Sequence, residues 1–104
     1  MMLSEIKDYG ELDLITPGEI LLEDFLAPLG ISQKKLAETI DVPPGYINDI
    51  ANNRRRASAN MAFRLSMAFD MTIDFWLNLQ NQYDVRKAYR AGLADLKIQP
   101  LVAT

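Results

Sequence analysis

The stretch from Gln33 to Arg56, QKKLAETIDVPPGYINDIANNRRR, constrains the fold more than any other part of the chain. Its apolar positions are Leu36, Ala37 and Ile40, then Val42, then Ile47 and Ile50, a spacing that describes two short helices meeting at a sharp corner. Leu36 and Ile40 stand one helical turn apart and face a core, whereas Ala37 is small where the second helix crosses closely. Asp41 and Val42 make the corner, with Val42 tucked inward. Pro43 and Pro44 then stop one helix and start the next, because a proline at a first helical position lacks only an N–H that would have had no intrahelical partner.

Ile47, Ile50 and Ala51 form the buried stripe of the second helix. Gly45, Tyr46, Asn48, Asp49 and Asn52 therefore turn outward, and Arg54, Arg55 and Arg56 follow directly. A narrow polar face ending in a basic triplet is what a reader of the DNA major groove needs, and the pattern is that of a helix-turn-helix. An ordinary helical hairpin with a proline corner is the plainer alternative. Asp41 and Asn53 stand where this motif usually has glycine. Both residue types accept the left-handed backbone required there better than most.

With 104 residues, 49% of them hydrophobic and 24% charged, the chain suits one small domain around one core. It contains neither cysteine nor histidine, which excludes disulfides, the usual zinc and iron sites, and Ser-His or Cys-His catalysis. No cofactor or metal is expected, and no enzymatic constellation is recognisable among the remaining residue types. No apolar run approaches a membrane span, and acids stand near the N-terminus where a signal peptide carries bases, so a cytoplasmic location is expected. The net charge of −3 argues at first against a nucleic-acid binder, but its distribution matters more. Residues 1 to 30 hold Glu5, Asp8, Glu11, Asp13, Glu19, Glu23 and Asp24 against Lys7 alone. In residues 31 to 64, Lys34, Lys35 and the arginines at 54, 55, 56 and 64 outnumber Glu38, Asp41 and Asp49. The chain is electrically two-ended, which suggests two kinds of partner.

Residues 1–15 lack sustained periodicity and read as an acidic arm anchored by Leu3, Ile6, Tyr9, Leu12 and Leu14. Its acidity serves either solubility or the capture of a basic protein. Thr16-Pro17-Gly18-Glu19 is a helix start, with Thr16 as N-cap, Pro17 at the first position and Glu19 completing a capping box. Leu21, Leu22, Phe25, Leu26 and Leu29 give that helix an apolar face, Pro28 and Gly30 close it, and Ser32 caps the next. Ser58 caps a fourth helix, from about Ala59 to Phe69, whose stripe is Met61, Ala62, Leu65, Ala68 and Phe69. Met61 and Met67 are read as packing residues rather than as a binding groove. Thr72 caps a fifth helix to about Arg90, with Asp74 in its first turn. Ile73, Trp76 and Leu77 suffice to close the core. Phe75, Leu79, Tyr83 and Val85 are left over, either for a dimer interface or for a thicker core. After Gly92 the pattern weakens into a short tail, residues 92–104, so the domain spans residues 16–91.

The segments ITPGEILLEDFLAPLGIS (Ile15 to Ser32), INDIANNRRR (Ile47 to Arg56) and IDFWLNLQNQYDVRKA (Ile73 to Ala88) resemble the HigA family of antitoxins, helix-turn-helix proteins of the Cro/phage-repressor type. The resemblance runs from about Thr16 to Ala88, and FWLNLQ is its most specific part. It implies an all-α, five-helix fold and a homodimer bound to a palindromic operator in its own promoter. It also implies a toxin partner, a HigB-like ribonuclease of the RelE type that cleaves messenger RNA on the ribosome. Carried onto this sequence, it places Ser32 and Gln33 against phosphate at the start of the supporting helix, and Gly45, Tyr46 and Asp49 in the groove. The left-handed positions Asp41 and Asn53 and the acidic arm depart from the family pattern.

Together these readings give Ser32, Gln33, Pro44, Gly45, Tyr46, Asn48, Asp49, Asn52 and the three arginines Arg54, Arg55 and Arg56 as expected DNA contacts. Phe75, Leu79 and Tyr83 are expected at a dimer interface, and Glu19, Glu23 and Asp24 toward a toxin. The leading expectation is a DNA-binding antitoxin that represses its own operon. The alternatives are a stand-alone regulator and a toxin-binding module with little DNA affinity. Asp49 is the odd member of the DNA set, since it brings a negative charge toward phosphates. It can accept a hydrogen bond from cytosine, disfavour wrong sequences, or pair with an arginine such as Arg54 or Arg55.

Overall fold

A computed structural model describes residues 14–102. Residues 1–13 of the acidic arm, with its anchors Leu3, Ile6, Tyr9 and Leu12, lie outside the described residues, and its last anchor, Leu14, is half-buried. Among those described, the secondary structure is entirely helical. Helix α1, residues 17–29, is followed by α2 (Gln33–Thr39), α3 (Pro44–Ala51), α4 (Ala59–Phe69) and α5 (Ile73–Arg90), then a short 3₁₀ turn (Leu93–Asp95).

Hydroxyl caps begin four of the five helices. The side-chain oxygens of Thr16, Ser32, Ser58 and Thr72 accept the N–H groups of Glu19, Lys35, Met61 and Phe75 at 3.0–3.3 Å. The expected return bond from Glu19 is not formed among the described residues, so Thr16 supplies only the first half of a capping box. Helix α3 starts instead on Pro43 and Pro44, with no side-chain cap. The first three helices end alike. Gly30, Asp41 and Asn53 take left-handed conformations, with φ of 66°, 57° and 58°. In each case the N–H of the next residue, Ile31, Val42 or Arg54, returns to a carbonyl five residues earlier. Asp41 and Asn53 thus occupy their left-handed positions as expected. Asp70 does the same at the end of α4, a turn that the periodicity of the chain does not announce.

Helix α1 is not regular. Its middle, Leu21–Leu26, is π-helical between the α-helical turns Pro17–Ile20 and Ala27–Leu29. Leu21 and Leu26 are buried there, and Phe25 joins an aromatic cluster in which its ring lies 5.0 Å from both Phe69 and Trp76. The start of α1 lies on the end of α3. A side chain at Gly18 would run into the Ile50 carbonyl and the Ala51 backbone, so glycine is required there for the two helices to touch.

The core consists of Leu21, Leu26, Leu36, Ala37, Ile40, Ile47, Ile50, Met61, Ala62, Leu65 and Trp76. Trp76 is fully buried and packs edge-on against Phe75 at 5.0 Å. The expected stripes of α1 and α4 need correction. Leu29, in the last turn of α1, is exposed. On α4, Ser66 is buried, its hydroxyl donating to the Phe63 carbonyl, whereas Ala68 is exposed. The buried arc is centred nearer Leu65 and Phe69, which leaves Ala68 on its rim beside an open cleft of about 320 Å³. Met67 is 82% exposed and is no packing residue, while Phe63 is also exposed. No helix among the described residues is long and apolar enough to cross a membrane.

Candidate nucleic-acid interface

The inner face of α3 is fixed by burial, with Ile47 and Ile50 at 0% and 2% exposure. Gly45, Asn48 and Asn52 consequently face solvent, and Tyr46 and Asp49 are half-exposed. Pro44 is exposed at the helix start, and a side chain at Gly45 would meet nothing within 4 Å, so this end of the helix is slim and open. A slim helix end suits close approach to base edges.

The outward polar groups are joined in one network. Asn48 Nδ2 donates to Gln33 Oε1 at 3.4 Å, which links the start of α2 to α3. Asn52 donates to the carbonyl and side-chain oxygens of Asn48 at 2.9 and 3.2 Å. Arg54 Nη2 donates to Asn48 Oδ1 at 2.8 Å, while its Nε pairs with Asp49 Oδ1 at 3.3 Å. The other Asp49 oxygen lies 3.8 Å from Arg55, whose guanidinium stacks 4.1 Å above the Tyr46 ring. In the free protein Asp49 therefore holds two arginines, the pairing alternative raised by the sequence. The main chain assists, because the Arg54 N–H donates to the Asp49 carbonyl at 2.8 Å and fixes where the basic segment begins.

The basic triplet does not act as a unit. Arg56 turns away from α3 and pairs with Asp84 of α5 at 2.7 Å. Ser32 is exposed, with its oxygen engaged in capping α2. Arg64, another member of the basic region, serves the fold. Its Nη1 donates to the carbonyls of Ile40 and Asp41, satisfying the end of α2, and its Nε donates to Asn60. Nothing in the local sequence marks that role, since the two carbonyls belong to residues 24 and 23 positions away.

On α5, Phe75 and Leu79 are half-buried against the core. Tyr83 is different from the expectation. It is 6% exposed and its hydroxyl accepts from Asn53 at 2.6 Å, because it follows Trp76 and Gln80 at the spacing of one helix face and so points inward within the protomer. Glu19, Glu23 and Asp24 are all exposed on α1 and form no ion pair among the described residues. Sequence reasoning misses Gln80. It is a polar residue on the inward stripe of α5, 4% exposed, and its Oε1 accepts the Ala57 N–H at 2.7 Å. A glutamine one turn after a buried tryptophan was the available signal.

A buried-backed, outward-polar second helix after a tight corner defines the class as a helix-turn-helix domain. The chain belongs to the helix-turn-helix family of Cro/C1 type, whose profile matches residues 22–76, and its structural neighbours include HigA antitoxins. It is 46% identical over 70 residues to the uncharacterised HTH-type transcriptional regulator YbaQ of Escherichia coli K12, covering 67% of this chain and 62% of that relative. It is 35% identical over 71 residues to antitoxin HigA-1 of Vibrio cholerae, covering 68% and 67% of the two chains. Among solved structures, Pseudomonas aeruginosa antitoxin HigA with the higBA promoter superposes with a TM-score of 0.81 at 40% identity, over 86% of this chain and all of that one. The family is a non-enzymatic class.

Proposed function

We propose that the protein binds a palindromic operator in its own promoter as a two-fold dimer and neutralises a RelE-type, HigB-like toxin. The observation that carries the DNA half is the bonded network over the outer face of α3, in which Tyr46, Asn48 and Asp49 are arranged with Gln33 of α2 and with Arg54 and Arg55 of the following loop before any ligand arrives. Preset side chains lose less conformational freedom on binding. The similarity to an antitoxin solved with promoter DNA supports the same reading. Half-sites are then spaced by about 10 bp or a multiple of it. Phe75 and Leu79 are the candidate dimer residues on α5. The exposed acids Glu19, Glu23 and Asp24 are the candidate toxin surface, whose charge would chiefly speed capture of a basic ribonuclease.

The test is affinity for DNA from the protein's own upstream region against random DNA at one fixed salt concentration, with light scattering on the same samples. The expected result is specific binding by a dimer, and co-purification with a small basic protein encoded beside it. Equal affinity for both DNAs, with toxin capture intact, would favour a toxin-binding module. One observation points that way: the carboxylate of Asp49 already offsets charge on Arg54 and Arg55.

A further inference from the structure

The chain leaving α3 is tied to α5. Asn53 donates to the Tyr83 hydroxyl, and the Ala57 N–H donates to Gln80 Oε1. Gln80 Nε2 in turn donates to Asp84 Oδ1 at 3.0 Å, and the other Asp84 oxygen takes Arg56 at 2.7 Å. Because Gln80 and Tyr83 are shielded from water, the bonds they make to Ala57 and Asn53 fix the loop rather than exchange with solvent, while the Arg56–Asp84 pair lies exposed at its edge. Between loop and helix they leave an open polar cleft of about 420 Å³, bordered by Arg54, Arg55 and Arg56 on one side and by Asp84 and Lys87 on the other.

The charges of this cleft do not cancel. Asp84 engages Arg56, and Asp49, just outside, is shared by Arg54 and Arg55. Lys87 is exposed, with its ammonium 5.9 Å from the centre of the Tyr83 ring and no carboxylate partner among the described residues. A cleft bordered by three guanidinium groups and an ammonium against one carboxylate carries surplus positive charge and is complementary to a phosphodiester. It also adjoins the reading face, since Arg54 and Arg55 border both. A chain leaving a recognition helix must climb out of the groove past the backbone, which brings the cleft to phosphate.

We propose that this cleft seats a DNA backbone phosphate and that Lys87, on α5, is a phosphate contact of the protein. The proposal rests on the DNA-binding reading and extends the interface beyond the helix-turn-helix to the last helix. Lys87 then fixes how the protein sits on the duplex without reading sequence.

The experiment measures affinity of the full-length chain for its operator and for random DNA across a salt series. Lys87→Ala should weaken both DNAs by the same factor and lower the salt slope by about one unit, with Lys87→Glu weaker still. Lys97→Ala, in the exposed tail, should leave the slope unchanged. Thermal melting and scattering should match the parent for each variant, because both lysines are exposed. If the parent binds its operator specifically and Arg55→Ala lowers the slope while Lys87→Ala does not, the proposal is overturned and the DNA reading survives. If the parent shows no preference for its operator, the DNA reading itself has failed. Competition by inorganic phosphate at constant ionic strength, with an unchanged Lys87→Ala slope, would reassign the cleft to a free anion. Loss of toxin capture with the slope unchanged would reassign it to an acidic protein surface. Either result overturns the phosphodiester seat.

Discussion

Helices α3 and α5 divide their residues in different ways. On α3 the apolar residues Ile47 and Ile50 face the core, and the polar residues between Gly45 and Asn52 face out, so the side chains that hold the helix are not those proposed to meet DNA. On α5 the inward stripe is mixed. Trp76 packs, but Gln80 and Tyr83, also buried, carry the hydrogen bonds that hold the loop after α3. Changes to the outer face of α3 should therefore alter binding alone, whereas changes inside α5 should alter stability and binding together.

Ile47→Ala puts the largest strain on this distinction. Removing a fully buried side chain should cost about 2–5 kcal/mol of unfolding free energy in a denaturant titration. The fraction that remains folded should bind DNA with parent affinity, and a change in its sequence preference would show that the two faces of α3 are not separable. Gln80→Ala comes next. It strands the buried Ala57 N–H, and a loss of about 1–3 kcal/mol is expected, accompanied by weaker operator binding because the loop loosens. Lost stability with unchanged binding would make α5 a scaffold only. The smallest effect is expected from Asp49→Asn, which should leave melting within about 0.5 kcal/mol of the parent. It should raise affinity for random DNA and relax preference at one base pair per half-site. If the ratio of operator to random affinity stays constant, Asp49 serves only to hold Arg54 and Arg55.

The contrast between the helices also explains what could be read from the sequence. The caps Thr16, Ser32, Ser58 and Thr72 and the left-handed Asp41 and Asn53 are local signals, each acting within a few residues of its own backbone. The helix boundaries follow from them. The outward set on α3 follows as well, because Ile47 and Ile50 leave no choice of face. Contacts such as Arg56 to Asp84, 28 residues apart, and Asn53 to Tyr83, 30 apart, depend on how helices cross. No spacing in the chain encodes that crossing. The burial of Tyr83 and the exposure of Met67 are different, because helix phase does encode them. Tyr83 shares a face with Trp76 and Gln80, and Met67 stands opposite the arc centred on Leu65 and Phe69, whereas Ala68, at the rim of that arc, depends on how its neighbours pack. The π-helical middle of α1 is also hidden, since it carries neither proline nor glycine within Leu21–Leu26 to mark it.

The bond from Asn53 to Tyr83 has a mechanical consequence. Glycine at position 53 would provide the left-handed turn and nothing else. Asparagine provides the turn and also bolts the end of α3 to α5 through its amide. In the proposed two-fold pair, if it is joined through α5, the two recognition helices would then behave as the jaws of a calliper with a locked joint. Each base pair inserted between half-sites rotates one of them by roughly 35° around the duplex, which such jaws cannot follow. The protein would thus gauge the distance between its half-sites as strictly as it reads the bases within them.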